Sequence, residues 1–174
     1  MDKAGTAYVV WSERHTAQRQ TWIMIARSVD HGRTWSSPSR VGRSTQTAIF
    51  PWITVGDAGR VAVSYYGTSA RAVSADSVPA TATWQVFSSY STDAGRHFTD
   101  YRTTPTMQRG PICTSGVGCP GNTRNLFDFF ETAADAKGCL LTAYADDVAG
   151  GDAATVSYVR QTAGPGLSAR TACR

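Results

Sequence analysis

Several side chains in this 174-residue chain are of the types that do chemistry, and their spacing narrows what that chemistry could be. Arg124 stands just before the strand-like run LFDFFETAA and shares parity with Asp128, so both could project from one face of a strand. An arginine fork so placed makes paired, charge-assisted hydrogen bonds to a carboxylate ligand. The plainer reading is an Arg–Asp pair that holds a loop onto a strand. Glu131 has the opposite parity. Tyr66 and Tyr144 each end an apolar run and could act as nucleophiles or simply serve as strand aromatics. Glu13, one of only two glutamates, ends a run in the same way and is either a site acid or a solvated loop acid. Phe50-Pro51-Trp52 offers an aromatic platform for a sugar, with core packing of Trp52 as the alternative. Asp146, Asp147 and Asp152 could give oxygens to Ca²⁺, but they do not follow EF-hand spacing and read as an acidic loop.

The elements that must position these groups are written in repeated turns. SVDHGRTW at 28–35 returns as STDAGRHF at 91–98, each after an extended run, TWIMIARS and TWQVFSSYS. An Asp that accepts backbone N–H groups ahead of it, followed by a Gly free to take positive φ, is a hairpin tip. A second set of Asp/Gly turns begins at Asp2, Asp57 and Asp135, each followed by a strand. The unit is therefore a four-stranded meander. Thr occurs 22 times and Trp, Tyr and Phe 18 times together, against four Leu, two Lys and two Glu, so strand formers dominate and no convincing helix is present. Repeated meanders predict an all-β chain of stacked blades, a β-propeller. Residues 1–45 supply strands two to four of one blade, 46–108 a complete blade, and 109–174 three strands of another. The chain reads as about two and a half blades, the C-terminal part of a larger propeller whose N-terminal blades are missing.

SVDHGRTW resembles the Asp box of the bacterial neuraminidase repeat found in sialidases and related propellers, and STDAGRHF resembles a degenerate copy. FPWITVGDAGRVAVSYYG and ICTSGVGCPGNTRNLFDFFETAADAKGCLLTAYADD are similar to bacterial secreted proteins of the exo-alpha-sialidase type. The resemblance implies a six-bladed propeller in which Ser28, Asp30, Gly32, Trp35 and Ser91, Asp93, Gly95, Phe98 are structural staples on the face away from the site, Trp35 and Phe98 being packing anchors. It also implies a retaining hydrolase of sialic acid or another acidic sugar, using three arginines, a Tyr nucleophile, a Glu that deprotonates it and an Asp acid/base, outside the two-carboxylate scheme of most glycosidases. On that pattern the catalytic candidates are Tyr66, Tyr144, Glu13 and Asp128, and the substrate-binding candidates are Arg124 and Trp52. The Arg-Ile-Pro of the family's first blade is absent, so a non-catalytic propeller that binds carbohydrate, a glycoconjugate or a protein stands beside the enzyme, as does a truncated, inactive product.

Charge and cysteines bound the rest. The net charge of +4 comes mostly from 15 arginines scattered singly; their spacing gives no sign of the clustered basic face that nucleic acid requires, and a solvated surface is the better reading. No signal peptide and no apolar run long enough to span a membrane is present. Cys113 and Cys119 bracket the flexible TSGVG, and a disulfide is favoured over zinc because the gap is long for a zinc pair and no His is near. Cys139 and Cys173 would then pair or stay free. Disulfides would make the protein extracellular. The reading calls for no cofactor and no metal.

Overall fold

The structure is a computed structural model that describes residues 1–120, 126, 130–148, 155–170 and 172–174. The described residues are all-β, with no α-helix among them. β1 (Ala7–His15), β2 (Gln20–Ser28) and β3 (Ser39–Val41) form one antiparallel meander. β4 (Thr47–Val55), β5 (Val61–Thr68), β6 (Thr83–Ser91) and β7 (Thr99–Arg102) form a second, with β8 (Gln108–Arg109) extending the outer pairing of β6. β9 (Phe130–Ala134), β10 (Leu140–Asp146) and β11 (Thr155–Arg160) form a third. A single parallel contact, Thr21 with Thr47, joins the first two meanders into a sheet that curls into a half-barrel. The third meander is a separate sheet, and β4 touches β1, β2 and β9.

The core lies between the meanders, and period-2 alternation explains how β5 and β6 serve both sides. Val61, Val63, Tyr65 and Phe87 pack with Ile23, Ile25 and Val41 of the first meander. Their neighbours Tyr66, Trp84 and Val86 pack with Phe130 and Tyr144 of the third, and with Met107 and Ile112 from the long loop after β7. β5 is consequently buried at every position. Its buried Ser64 hydroxyl is matched across the pair by Ser88 at 2.9 Å.

The Asp turns lie together at one end of the sheets. Ser28 Oγ donates to Asp30 at 2.7 Å and accepts the Gly32 N–H at 2.8 Å, while Asp30 accepts the Thr34 N–H and hydroxyl at 2.9 and 2.6 Å. Ser91, Asp93 and Gly95 repeat this wiring, with the His97 ring in place of the Thr34 hydroxyl. In both turns two successive residues take positive φ, His31 with Gly32 and Ala94 with Gly95, which is why the pattern carries Gly at the second place. Trp35 corrects the expectation of a packing anchor. It is 47% exposed and lies over its own turn at Gly32, whereas Phe98 does pack against the core.

Both disulfides are formed, Cys113–Cys119 and Cys139–Cys173, with Cα–Cα distances of 5.8 and 5.6 Å. The second anchors the C-terminal segment beneath the Asp135 turn, where Leu167 donates its N–H to Gly138 O and accepts from Asp57 N. Two disulfides are compatible with an extracellular protein. Among the described residues no helix is long and apolar enough to cross a membrane.

Candidate functional site

At the end of the sheets away from the Asp turns, two loops converge on β1, β2 and β4. Residues 69–82, between β5 and β6, are held down by Thr21 Oγ1 donating to Val73 O at 3.0 Å and by Thr47 Oγ1 donating to Ala70 O at 2.8 Å. The Cys113–Cys119 loop is tied to the same segment by the Ile112 N–H, which donates to Ala75 O at 3.0 Å. Between them opens a cavity of about 340 Å³ walled by Arg14, Phe50, Pro51, Ser74 and Thr114, among others.

Arg14 is the charged group of this cavity. Strand parity sends Arg14 and Ser12 toward the cavity and Glu13 and His15 to the other face of β1. Arg14 is exposed and has no acidic partner or hydrogen bond among the described residues, leaving its guanidinium donors to solvent or to a ligand.

Phe50 forms the apolar wall at a backbone cost. β4 pairs Ile49 with Tyr66 and Trp52 with Ser64, so Phe50 and Pro51 face a single residue, Tyr65, and make a β-bulge. Phe50 takes φ +52°, the left-handed region, which is an outlier for a bulky side chain. Pro51 sits inside Thr47–Val55 because the bulge removes the need for its missing donor. The Phe50 ring stands edge-on to Tyr66, centroids 6.3 Å apart, so the bulge carries one aromatic from the core to the cavity wall.

The other candidates fall in different places. Tyr66 is fully buried, its hydroxyl accepts the Ala145 N–H at 3.1 Å, and it packs on Phe130 at 4.7 Å. Burial pushes its pKa well above the ordinary phenol value. Tyr144 is buried in the same cluster and its pKa is likewise raised by burial. As placed, neither phenol reaches the surface as a nucleophile must, and both do the packing that a strand aromatic does. Glu13 accepts from Trp11 Nε1 at 3.0 Å and lies 3.2 Å from His15 Nε2, on the face of β1 away from the cavity. Trp52 is 42% exposed, so it is not a core residue, and it stands beyond the bulge from Phe50. Asp146 is buried and accepts the Val148 N–H at 3.0 Å; Asp147 donates its N–H to Met107 O. Arg124, Asp128 and Asp152 lie outside the described residues.

The sequence places the loop around Glu13, Arg14 and His15, Ile49 to Trp52, the loop after Tyr65 and Tyr66 and the run from Cys113 on one face as the candidate site, and the cavity lies among these segments; within them it uses Arg14 rather than Glu13, Ser74 and Thr114 from two loops, and the backbone of Phe50. The Phe-Pro dipeptide and the parity of β1 were the available signals. Its lining offers Arg14, without a partner among the described residues, several hydroxyls and an aromatic wall, a set that suits an anion-bearing, partly apolar ligand. No protein-family model matches this chain, and no curated protein matches it.

Proposed function

We infer that this chain is part of a sialidase-like β-propeller, three blades with the outer two incomplete, and that the face opposite its Asp boxes binds an acidic sugar. The observation that carries the reading is Arg14, without a partner among the described residues, at a cavity whose wall is an aromatic. A guanidinium grips a sugar carboxylate through paired hydrogen bonds, the ring of Phe50 covers an apolar sugar face, and the Ser and Thr hydroxyls serve the sugar's own. The three antiparallel meanders and the shared wiring of the two Ser-x-Asp-x-Gly turns support the propeller. The disulfides support work outside the cell. Retaining hydrolysis of a sialoside belongs to this reading only for a protein that also supplies an accessible nucleophile. The burial of Tyr66 and Tyr144 favours the second reading, a non-catalytic carbohydrate-binding propeller, for the chain as it stands.

The test is a titration with N-acetylneuraminic acid beside uncharged N-acetylglucosamine, followed by amide NMR shifts, together with a fluorogenic sialoside assay. The acidic sugar is expected to shift residues around Arg14 and the 69–82 loop, and Arg14→Ala to weaken it about tenfold or more, the value of a charge-assisted contact. Equal binding of both sugars, or no effect of the substitution, would remove the reading. No turnover is expected, and robust turnover by this chain would overturn the non-catalytic assignment.

A further inference from the structure

The second and third meanders meet at their inner strands, where β4 touches β9 and Thr54 Oγ1 donates to Thr132 O at 2.8 Å. Farther out, β6 and β7 on one side and β10 and β11 on the other leave between them a cleft of about 260 Å³. Both walls are strands of this chain, and the segment 161–165 makes the floor.

Register decides which side chains face the cleft. Ser88 and Tyr90 of β6 stand opposite Tyr101 and Thr99 of β7, and Thr142 of β10 stands opposite Val159 of β11. Tyr90 and Leu140 pack in one small core with Ala62 and Leu167, which turns these two faces toward each other. Two arginines border the cleft, but the same register puts them on the other sides of their strands. Arg102 pairs with Phe87, which packs toward the first meander, and Arg160 pairs with Leu141 and donates to Asp135 at 3.2 Å. By register, then, no charged side chain of these strands faces the cleft.

The floor is fixed by one amide. Gln161 Oε1 accepts the Tyr90 hydroxyl at 2.5 Å and the Leu140 N–H at 3.1 Å, while its Nε2 donates to Ala163 O and Pro165 O. Tyr101 stands edge-on to Tyr90, centroids 6.0 Å apart at 81°, and is 44% exposed. The hydroxyls of Tyr101 and Thr162 have no hydrogen-bond partner among the described residues. A second hollow of about 250 Å³ adjoins the cleft at Tyr90, Tyr101 and Pro165, and reaches Asp93 and His97, which are bonded to each other at 2.6 Å.

We propose that this cleft binds an uncharged disaccharide, with one sugar ring stacked on Tyr101 and its hydroxyls bonded to those of Tyr101 and Thr162. Ligand pockets begin at about 300 Å³, which neither hollow reaches alone and the two together pass. A sugar ring has an apolar C–H face for an exposed aromatic to cover, and hydroxyls that need partners once they leave water. A carboxylate sugar would give up its hydration here with no unpaired cation to replace it. The cleft is distinct from the Arg14 cavity and opposite to it in the charge it accepts, so the proposal does not rest on the acidic-sugar reading.

Amide NMR of the full 174-residue chain tests it, with lactose, cellobiose and maltose as probes at up to tens of millimolar and N-acetylneuraminic acid beside them. At least one neutral disaccharide is expected to shift Tyr101 and residues 161–163 while leaving Arg14 and the 69–82 loop in place; the acidic sugar should not shift the cleft. Tyr101→Ala is expected to weaken the neutral sugar about fivefold or more, the value of a lost stacking contact, while Tyr101→Phe keeps most of the affinity. Thr162→Ala, at an exposed position, is expected to cost about threefold, one hydrogen bond. Circular dichroism checks that each variant is folded. The proposal is overturned if none of the three disaccharides moves the cleft amides, if the acidic sugar moves them as strongly, or if binding survives Tyr101→Ala and Thr162→Ala unchanged. Because each site is read from its own amides, either one can fail while the other stands.

Discussion

On the face of the Asp turns, carboxylates are spent on backbone. Asp2 accepts N–H groups of Ala4 and Thr6 from its own turn, and of Gly59 from the next meander's turn. Asp57 accepts from Ala169, and Asp135 from Lys137 and Cys139. The turns thereby staple one meander to the next, and Arg27 adds a bond to Ala94 O at 2.8 Å between the two Ser-x-Asp-x-Gly turns. The opposite face is built from long loops, holds a guanidinium with no partner among the described residues, and keeps a phenylalanine in a conformation that phenylalanine avoids. One end spends its polar groups on connectivity and the other leaves them available, as expected when a rigid scaffold presents binding loops.

Each face also has one disulfide, and removing them separately sharpens the contrast. Cys139–Cys173 spans 34 residues and Cys113–Cys119 spans 6. Loop-closure entropy alone assigns a loss of roughly 3–4 kcal/mol to the first and about 2 kcal/mol to the second. Paired Cys→Ala variants unfolded in urea are expected to show that order. The short bridge should instead be the one whose loss alters sugar binding, because its loop supplies Thr114 to the cavity wall. Equal losses in stability, or sugar binding sensitive only to the long bridge, would erase the division between the faces.

Phe50 gives a smaller and more local test. Replacing it by Ala removes the ring but keeps a Cβ at φ +52°; replacing it by Gly removes the same ring and the strain as well. Gly is therefore expected to be the more stable of the two variants by about 1 kcal/mol, the reverse of the order inside an ordinary strand. Chemical denaturation compares them directly. The usual order, Ala above Gly, would show that the bulge carries no strain.

How far the sequence could be read follows the same division. The hairpins at 28–35 and 91–98 were legible because an Asp carboxylate, two N–H groups and a Gly at positive φ are all local requirements, set within five or six residues. The all-β class followed from the scarcity of helix formers. The Cys113–Cys119 bridge was legible from a short, Gly-containing gap, whereas Cys139–Cys173 depends on where the C-terminal segment docks and had no local signal. The segments that meet at the cavity were legible, but which of their side chains face it was not. Which of Glu13 and Arg14 faces it depends on strand register, the left-handed turn at Phe50 depends on how β4 is paired, and Tyr66 reads the same in sequence whether its hydroxyl meets a substrate or, as here, the N–H of Ala145.

The weakest effect expected is also the most direct reading of what the turns do. Asp30 accepts the hydroxyl and N–H of Thr34 and the hydroxyl of Ser28, and these hold its pKa at about 2, below the ordinary 3.8. A carboxylate depressed in the folded state contributes stability that is fully present above the unfolded pKa and is lost as pH falls through the folded one. Its contribution should therefore fade between about pH 4 and pH 2 and be constant above that range. Thr34→Ala removes the strongest of these donors and is expected to move the Asp30 midpoint up toward 3.8, as followed by carboxyl NMR, while leaving Arg14 and the cavity unaffected. In the companion turn, burial works against ionisation, but the N–H and ring of His97 with the Ser91 hydroxyl outweigh it and depress the Asp93 pKa further. His97→Ala should move Asp93 upward in the same way. An Asp30 midpoint that stays in place without the Thr34 hydroxyl would mean that the turn is held by its backbone alone, and that the threonine in the repeated pattern is there for some purpose other than the hairpin.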